Sequence, residues 1–330
     1  MPTQPVSGGV QLIEKSLWDE RDNGAALTRA LQGVAPAMEV DARLSADGVF
    51  LLSHSDTTAS GKSISSSTAA DLTGLSGLAE ALPLRAALEV LAAHPDKHLV
   101  VEVKTLGESS VQENNAERLR ALALASGVAE RITISSLSPS ILLLVHRVWP
   151  EVPLILNAAI VPVFSYPTGW FGRLVAKRLR AGRGYLKLGF RQKYVVLATG
   201  EGALTRPRVQ GADGVDGDVS YALTELPEAL LQVLRDQAAR GVRFGGAVSV
   251  ASVTAYCNGL RRIVFLRGYA DRIHAQAIAA LHQRGVNVQS TTWGAINTET
   301  RVADWQPVTQ LRRLLAAGFG RNDMVYTHGI

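Results

Sequence analysis

A closed barrel of eight βα units, the (β/α)8 or TIM barrel, is the fold this sequence predicts, and three observations predict it. Short β-branched runs alternate with amphipathic stretches almost throughout, the pattern of parallel βαβ units. About eight strand candidates are present, enough to close a ring rather than leave an open sheet. At 330 residues the chain exceeds the ~250 that such a barrel needs, so one barrel with an insertion fits the length. A doubly wound sheet is the competing arrangement, but no Gly-rich dinucleotide loop follows the first strand.

The elements follow in order. VQLI (10–13) is the first strand, with a helical pattern over 24–33 behind it. AMEVDA (37–42) is the second, and DGVFLLSHSD (47–56) reads as a turn at Asp47-Gly48, a short apolar strand and an exit at His54. The Ser-rich SISSSTAAD (63–71) is a loop that hands over to a short helix. A helix over 84–94 precedes the strand HLVVEVK (98–104), and a helix over 115–126 precedes RITISS (131–136). A helix over 138–148 leads to PLILN (153–157). The pattern then becomes irregular, with one weak strand near GVDGDV (214–219), and resumes with a helix over 225–240. Helices over 270–284 and 307–317 accompany the strands VNVQSTTW (286–293) and DMVYT (323–327). The whole chain, 1–330, reads as one barrel domain, with an insertion around 160–210 whose basic, aromatic part (163–210) is a lid or packed excursion.

Hydrophobic residues make up 47% of the chain and charged residues 19%, a composition that buries a full core and excludes a disordered chain. Cys257 is the only cysteine, which rules out an intrachain disulfide and a cysteine metal cluster. MPTQPVSGGV carries no basic stretch followed by an apolar run, so no signal peptide is expected, and the longest apolar runs fall far short of the ~20 residues of a membrane span. A cytoplasmic location is expected, peripheral to a membrane if the basic insertion binds one. A formal charge of +5 and a pI near 9.5 favour anionic partners: phosphate esters, nucleic acid or acidic lipid surfaces.

The chemistry concentrates at two strand ends. Glu39 and Asp41 lie two apart on one strand and share a face, and Glu102 and Lys104 do the same on another. Carboxylates on one face repel unless a cation lies between them, and a hard divalent cation serves well. Three carboxylates and a lysine would make a site for a divalent metal and a phosphate oxygen; the alternative is a set of solvated strand-end ion pairs. His54, at a strand exit, is placed to act as a general acid toward an ester leaving group, or is structural.

These residues match a family pattern. E-V-D-A-R-L-S-A-D-G-V-F-L-L-S-H at 39–54 resembles the glycerophosphodiester phosphodiesterase signature, in which E-x-D is followed by D-G and then a histidine. Downstream, LPLRAALEVL (82–91) is similar to the family's P-T-L-E-E helix, VVEVK (100–104) to its E-x-K strand, and 132–156 to its Ser-Phe strand end and following helix. TTWGAIN (291–297) resembles the late W-T-V-N strand, and GFGRNDMVYTHGI (318–330) the closing strand. The resemblance spans about 10–157 and 286–330 and fails between. It implies a (β/α)8 barrel with Mg2+ or Ca2+ held by Glu39, Asp41 and Glu102, His54 as one of two acid/base histidines, Lys104 on phosphate, and Trp293 lining the pocket.

Departures from the pattern bear on the reaction. Where the family has His-Arg-Gly after the first strand, this chain has Glu14-Lys15-Ser16, and no histidine precedes His54. Glu14 has three readings: a base, an extra metal ligand, or an ion-pair partner of Lys15 or Lys104 without a catalytic part. Lys15 is placed to substitute for the phosphate-binding arginine. The aspartate expected after the second histidine is Ser55, with Asp56 next, and the closing Thr-Asp is Thr327-His328. His328 is a candidate for the missing acid/base group, and Ser136 and Asn157, at strand ends, are candidate substrate contacts.

Segment 163–194 holds Arg173, Lys177, Arg178, Arg180, Arg183, Lys187, Arg191 and Lys193 among seven aromatic residues. A helix there would have an apolar stripe (Trp170, Leu174, Val175, Leu179) and a cationic face, suiting a lid or an acidic membrane surface. No nucleic-acid module is recognised, so nucleic acid is not an expected partner. GADGVDGDV (211–219) lacks the bidentate glutamate of a Ca2+ loop and reads as a turn and strand end, although Asp216 or Asp218 can reach the barrel mouth. His94, His98, His146, His274 and His282 have no ligand spacing and read as structural.

The leading expectation is a metal-dependent enzyme acting on a phosphorylated small molecule or lipid, as a phosphoric diester hydrolase or phosphotransferase. A lyase or cyclase acting on a phosphorylated or diphosphorylated substrate is the first alternative. A non-catalytic phospho-ligand or membrane-binding module is the second.

Overall fold

The computed structural model describes residues 11–15, 27, 31–32, 35–58, 60–73, 81–164, 192–197, 228–251, 281–290 and 323–327. Eleven strands lie among them: β1 Gln11–Lys15, β2 Ala37–Leu44, β3 Phe50–Leu52, β4 Leu82–Pro83, β5 His98–Val103 and β6 Ile132–Ser136, then β7 Leu154–Phe164, β8 Gln192–Leu197, β9 Ala247–Ala251, β10 Asn287–Ser290 and β11 Met324–Thr327. The described helices are α1 Ala69–Thr73, α2 Leu84–Ala92, α3 Gln112–Ala125, α4 Pro139–Val148 and α5 Glu228–Ala239. None of them is long and apolar enough to cross a membrane.

Eight strands are parallel and form a ring, β1-β2-β5-β6-β7-β9-β10-β11, with β11 pairing back onto β1. The register fixes the stagger of this ring. From Asp41 the line of paired residues runs through Glu102, Ser135, Ile155 and Ala247 to Asn287. Two residues past Asn287, Gln289 pairs with Met324, which pairs with Gln11; two past Gln11, Ile13 pairs with Ala37, four short of Asp41. One circuit therefore slips eight residues, the stagger of a (β/α)8 barrel. The sequence-based fold class is observed.

Strand alternation then sorts the side chains. On β5, Leu99, Val101 and Val103 join the large outer core, whereas Val100 belongs to a separate cluster inside the ring. The outer core is completed by one stripe of each covering helix, such as Leu84, Ala87, Leu88 and Leu91 of α2, spaced to fall on one face. Helix α4 starts where Ser138 accepts a hydrogen bond from the Ile141 amide and Pro139 occupies the first turn.

Inside the ring the floor is apolar: Ala37, Val100, Ile155, Ala247 and Phe244 pack together. Phe244 is fully buried and has φ of 53°, a left-handed conformation that is a genuine outlier for a bulky residue. Its ring stacks at a tilt on His98, 4.9 Å between centroids, and its carbonyl accepts from the Thr133 hydroxyl. Two glycines follow. A Cβ on Gly245 would fall 2.0 Å from the Pro153 Cβ, and Gly246 has φ of 66° while its amide donates to the Leu154 carbonyl.

This Gly-Gly pair explains a difference from the sequence reading. The ring member between β7 and β10 is β9, AVSVA, a short run of small residues behind two glycines that is not among the strand candidates. The segment 214–219 read as a weak strand lies outside the described residues, as does the helix read at 307–317. Two additions leave the ring: β3 turns back antiparallel on β2 and carries β4, and β8 returns antiparallel along Ala159–Phe164 of β7.

Burial at the floor, with the Arg243 and Arg131 charges nearby, lowers the His98 pKa from 6.5 to about 4. The unfolded chain binds a proton there that the folded chain does not, so this contribution to stability is complete above pH 6.5 and is lost as pH falls from 6.5 towards 4. Urea unfolding across that window is expected to show a steeper pH dependence for the native chain than for His98→Gln.

Candidate active site at the mouth of the barrel

The pleat that gives β2 its outer residues Met38, Val40 and Ala42 turns Glu39 and Asp41 into the lumen, above the apolar floor. On the neighbouring strand Glu102 is the register partner of Asp41, and Lys104 follows at the strand exit, its amide donating to the Ala42 carbonyl. Taken with the stagger, the registers rank the lumen residues by height. Val100, Ile155 and Gln289 share one level, Glu39 and Ser135 the next, Glu102 and Asn157 the next; Asp41 and then Lys104 stand above them.

Glu39, Asp41 and Glu102 are 0%, 8% and 5% exposed, and one carboxylate oxygen from each lies within 4.8 Å of the others. Lys104 Nζ stands 2.8 Å from Asp41 Oδ1 and 2.5 Å from Glu102 Oε1. Burial by itself pulls the Lys104 ammonium down, but the charges of Glu102 and Asp41 and their hydrogen bonds outweigh it and hold its pKa above the ordinary value. The lysine is therefore a fixed cation. Three anionic oxygen donors in so small a space match the ligand preference of a hard divalent cation, so the residues fit Mg2+ or Ca2+.

His54 follows β3, half-buried, where the Ser53 amide donates to the Asp41 carbonyl. Arg43, the next lumen-side position after Asp41, donates from Nε and Nη2 to the His54 carbonyl at 3.2 and 3.0 Å and fixes the backbone that carries the imidazole. Asp56 serves its own loop. It accepts from the Ser63 hydroxyl and from the amide and hydroxyl of Ser65. Burial acts to raise its carboxyl pKa, but those bonds and the Arg43 charge bring it below the ordinary value.

On β1, Lys15 holds the register position of Glu39, and Glu14 that of Met38. Asn157 lies two residues above Ile155 and shares its lumen side. Trp293 and His328 lie outside the described residues, as does most of the basic segment: β10 ends at Ser290 and β11 at Thr327. Ser136 is not a lumen residue. Its hydroxyl donates to the Val103 carbonyl and accepts from the Ser138 amide, tying two strand ends together, and its neighbour Ser135 is the one that turns inward beside Glu102. Three lumen-side residues escaped the sequence reading: Arg43, Ser135 and Gln289. Arg43 continues the Glu39–Asp41 alternation, and Gln289 alternates with the core residue Val288, so spacing alone could have found both.

No family model and no curated protein matches this sequence. Solved structures do match in shape. The fold is that of the glycerophosphodiester phosphodiesterases. One such enzyme from Parabacteroides distasonis superposes with a TM-score of 0.53 at 13% identity, covering 97% of this chain and 93% of its own. A putative glycerophosphoryl diester phosphodiesterase from Silicibacter pomeroyi gives 0.54 at 13%, covering 97% and 90%. A phosphodiesterase from Oleispira antarctica, solved with the product sn-glycerol-3-phosphate, gives 0.51 at 16%, covering 96% and 92%.

Proposed function

We propose that this chain is a divalent-metal-dependent phosphoric diester hydrolase. The observation that carries the reading is the buried cluster of Glu39, Asp41 and Glu102 with Lys104 across two of them, set where the barrel strands end. Glu39, Asp41 and Glu102 would hold Mg2+ or Ca2+, which supplies Lewis-acid polarisation of a phosphoryl oxygen when bound. The likeness to an enzyme holding sn-glycerol-3-phosphate supports a small phosphorylated substrate.

The chain's own residues account for the rest. The Lys104 ammonium neutralises a non-bridging phosphate oxygen as the substrate enters. Water gives a proton to the second acid/base group as it adds to phosphorus, the bond from phosphorus to the leaving alcohol breaks, and His54 delivers the proton that the departing oxygen needs. Lys15, in register with Glu39, is the β1 residue assigned to phosphate, and Asn157 is a contact for the alcohol portion. Trp293 and His328 remain proposals for pocket wall and second acid/base group; Glu14 holds the register position of the outer-core residue Met38 and is assigned no step. Because no histidine precedes His54, a second reading stands: an internal hydroxyl of the substrate attacks phosphorus and closes a cyclic phosphate without water. Label from H2 18O in the product supports hydrolysis, and its absence supports cyclisation.

A general acid matters most when the leaving group is a poor one. His54→Ala is expected to lower kcat by about 10²–10⁴-fold on an alkyl diester and far less on a p-nitrophenyl diester, whose leaving group needs no proton. Equal losses on both would remove His54 from that role.

We also propose an acidic membrane surface as the partner of segment 163–194. Ile160–Phe164 of β7 continues past the last residue paired with β9, and β8 returns beside it as a ribbon on the strand-exit side of the barrel. The eight Lys and Arg residues of segment 163–194, with no Asp or Glu, suit anionic lipid at about 1 kcal/mol per cation near the surface. Co-sedimentation with phosphatidylglycerol-containing vesicles, lost in 0.5 M salt and absent with neutral vesicles, is the expected result. Binding that ignores lipid charge would end this assignment.

A further inference from the structure

The acidic cluster occupies one side of the lumen, and the other side carries a second polar group of a different kind. Ser135, Asn157 and Gln289 come from β6, β7 and β10, and are 0%, 7% and 0% exposed. Their directions follow from their neighbours. Ile134, Leu156 and Val288 belong to the outer core, so Ser135, Asn157 and Gln289 point to the inside of the ring. Ser135 is the register partner of Glu102, while Asn157 and Gln289 both pair with Ser249.

Among the described residues, Ser135 Oγ, Asn157 Oδ1 and both Nε2 and Oε1 of Gln289 are buried without a hydrogen-bond partner. An amide buried with both ends unsatisfied costs about 1–3 kcal/mol or more, whereas leucine at that position would cost nothing of the kind. Gln289 shares its level with Val100 and Ile155, and so is a polar group standing at the border of the apolar floor. A scaffold of packed apolar residues does not explain it; a ligand group with matching donors and acceptors does.

Resting on the phosphodiesterase reading, we propose that Ser135, Asn157 and Gln289 form an uncharged wall that binds the hydroxyl groups of the substrate's alcohol portion, with Gln289 the main determinant of specificity. Each hydroxyl both donates and accepts. Hydroxyls on adjacent carbons can give protons to Gln289 Oε1 and Asn157 Oδ1 and take one from Gln289 Nε2, while the ester phosphate faces Lys104 and the carboxylates. A fully apolar alcohol leaves all four atoms unmet, and a site built for hydroxyls rejects such analogues strongly.

The test compares the native chain with Gln289→Leu and the milder Ser135→Ala on two diesters, glycerophosphoethanolamine and bis(p-nitrophenyl) phosphate. With Gln289→Leu, kcat/KM for the hydroxylated diester is expected to fall at least tenfold further than for the aromatic one, and the melting temperature to rise. Equal losses on both substrates, or none on either, would overturn the proposal. A second arm does not depend on turnover: sn-glycerol-3-phosphate should raise the melting temperature of the native chain more than methyl phosphate does, and this preference should disappear in Gln289→Leu. If neither diester is hydrolysed while that preference is present, the phosphodiesterase reading fails and the wall is upheld. If the native chain shows no preference, the wall fails whatever the activity.

Discussion

Three carboxyl groups buried in the mouth of a barrel, with the Lys104 ammonium held against two of them, are the constraint on which the rest of this structure depends. Like charges about 4 Å apart repel by roughly 4 kcal/mol even at an effective dielectric of 20. Removing one partner of such a buried set costs about 3–5 kcal/mol, because the remainder is left uncompensated. Lys104 stands against two of the carboxyl groups, at 2.8 and 2.5 Å from Asp41 and Glu102. Glu39 is fully buried beside them, and three carboxyl side chains brought this close offer the oxygen donors that a cation-dependent site for phosphate esters requires.

The same alternation of strand residues serves stability at one end of the lumen and chemistry at the other. Below, Phe244 closes the ring in a left-handed conformation against Ala37, Val100, Ile155 and Ala247, and the strain of that conformation is offset by burying a whole aromatic ring. Above, each strand exchanges its apolar inner residue for a polar one within two positions: Ala37 for Glu39, Val100 for Glu102, Ile155 for Asn157. Arg43 extends this order outward by holding the main chain at His54.

Much of this was legible in the sequence, and the reasons are local. The strands bearing Glu39, Asp41, Glu102 and Lys104 have clean apolar alternation on one face, so spacing alone put the four groups on the lumen side. β9 was not legible, because its five small residues follow Gly245 and Gly246, whose purpose is a close approach to Pro153 and a left-handed turn that only the folded chain displays. Ser136 and Ser135 were confused for a related reason: a one-residue change of phase reverses every side chain, and two adjacent serines give no hint of which one faces in. The register of Lys15, rather than Glu14, with Glu39 is likewise a property of the closed ring and not of either strand by itself.

Calorimetric titration of Ca2+ and Mg2+ into the intact protein, and into Glu39→Gln, Asp41→Asn and Glu102→Gln, tests the central claim most directly. The account predicts binding by the native chain at millimolar metal or below, and its loss in all three variants. Binding that survives all three substitutions, or a native chain that takes up neither ion even with a phosphate ester present, would contradict it.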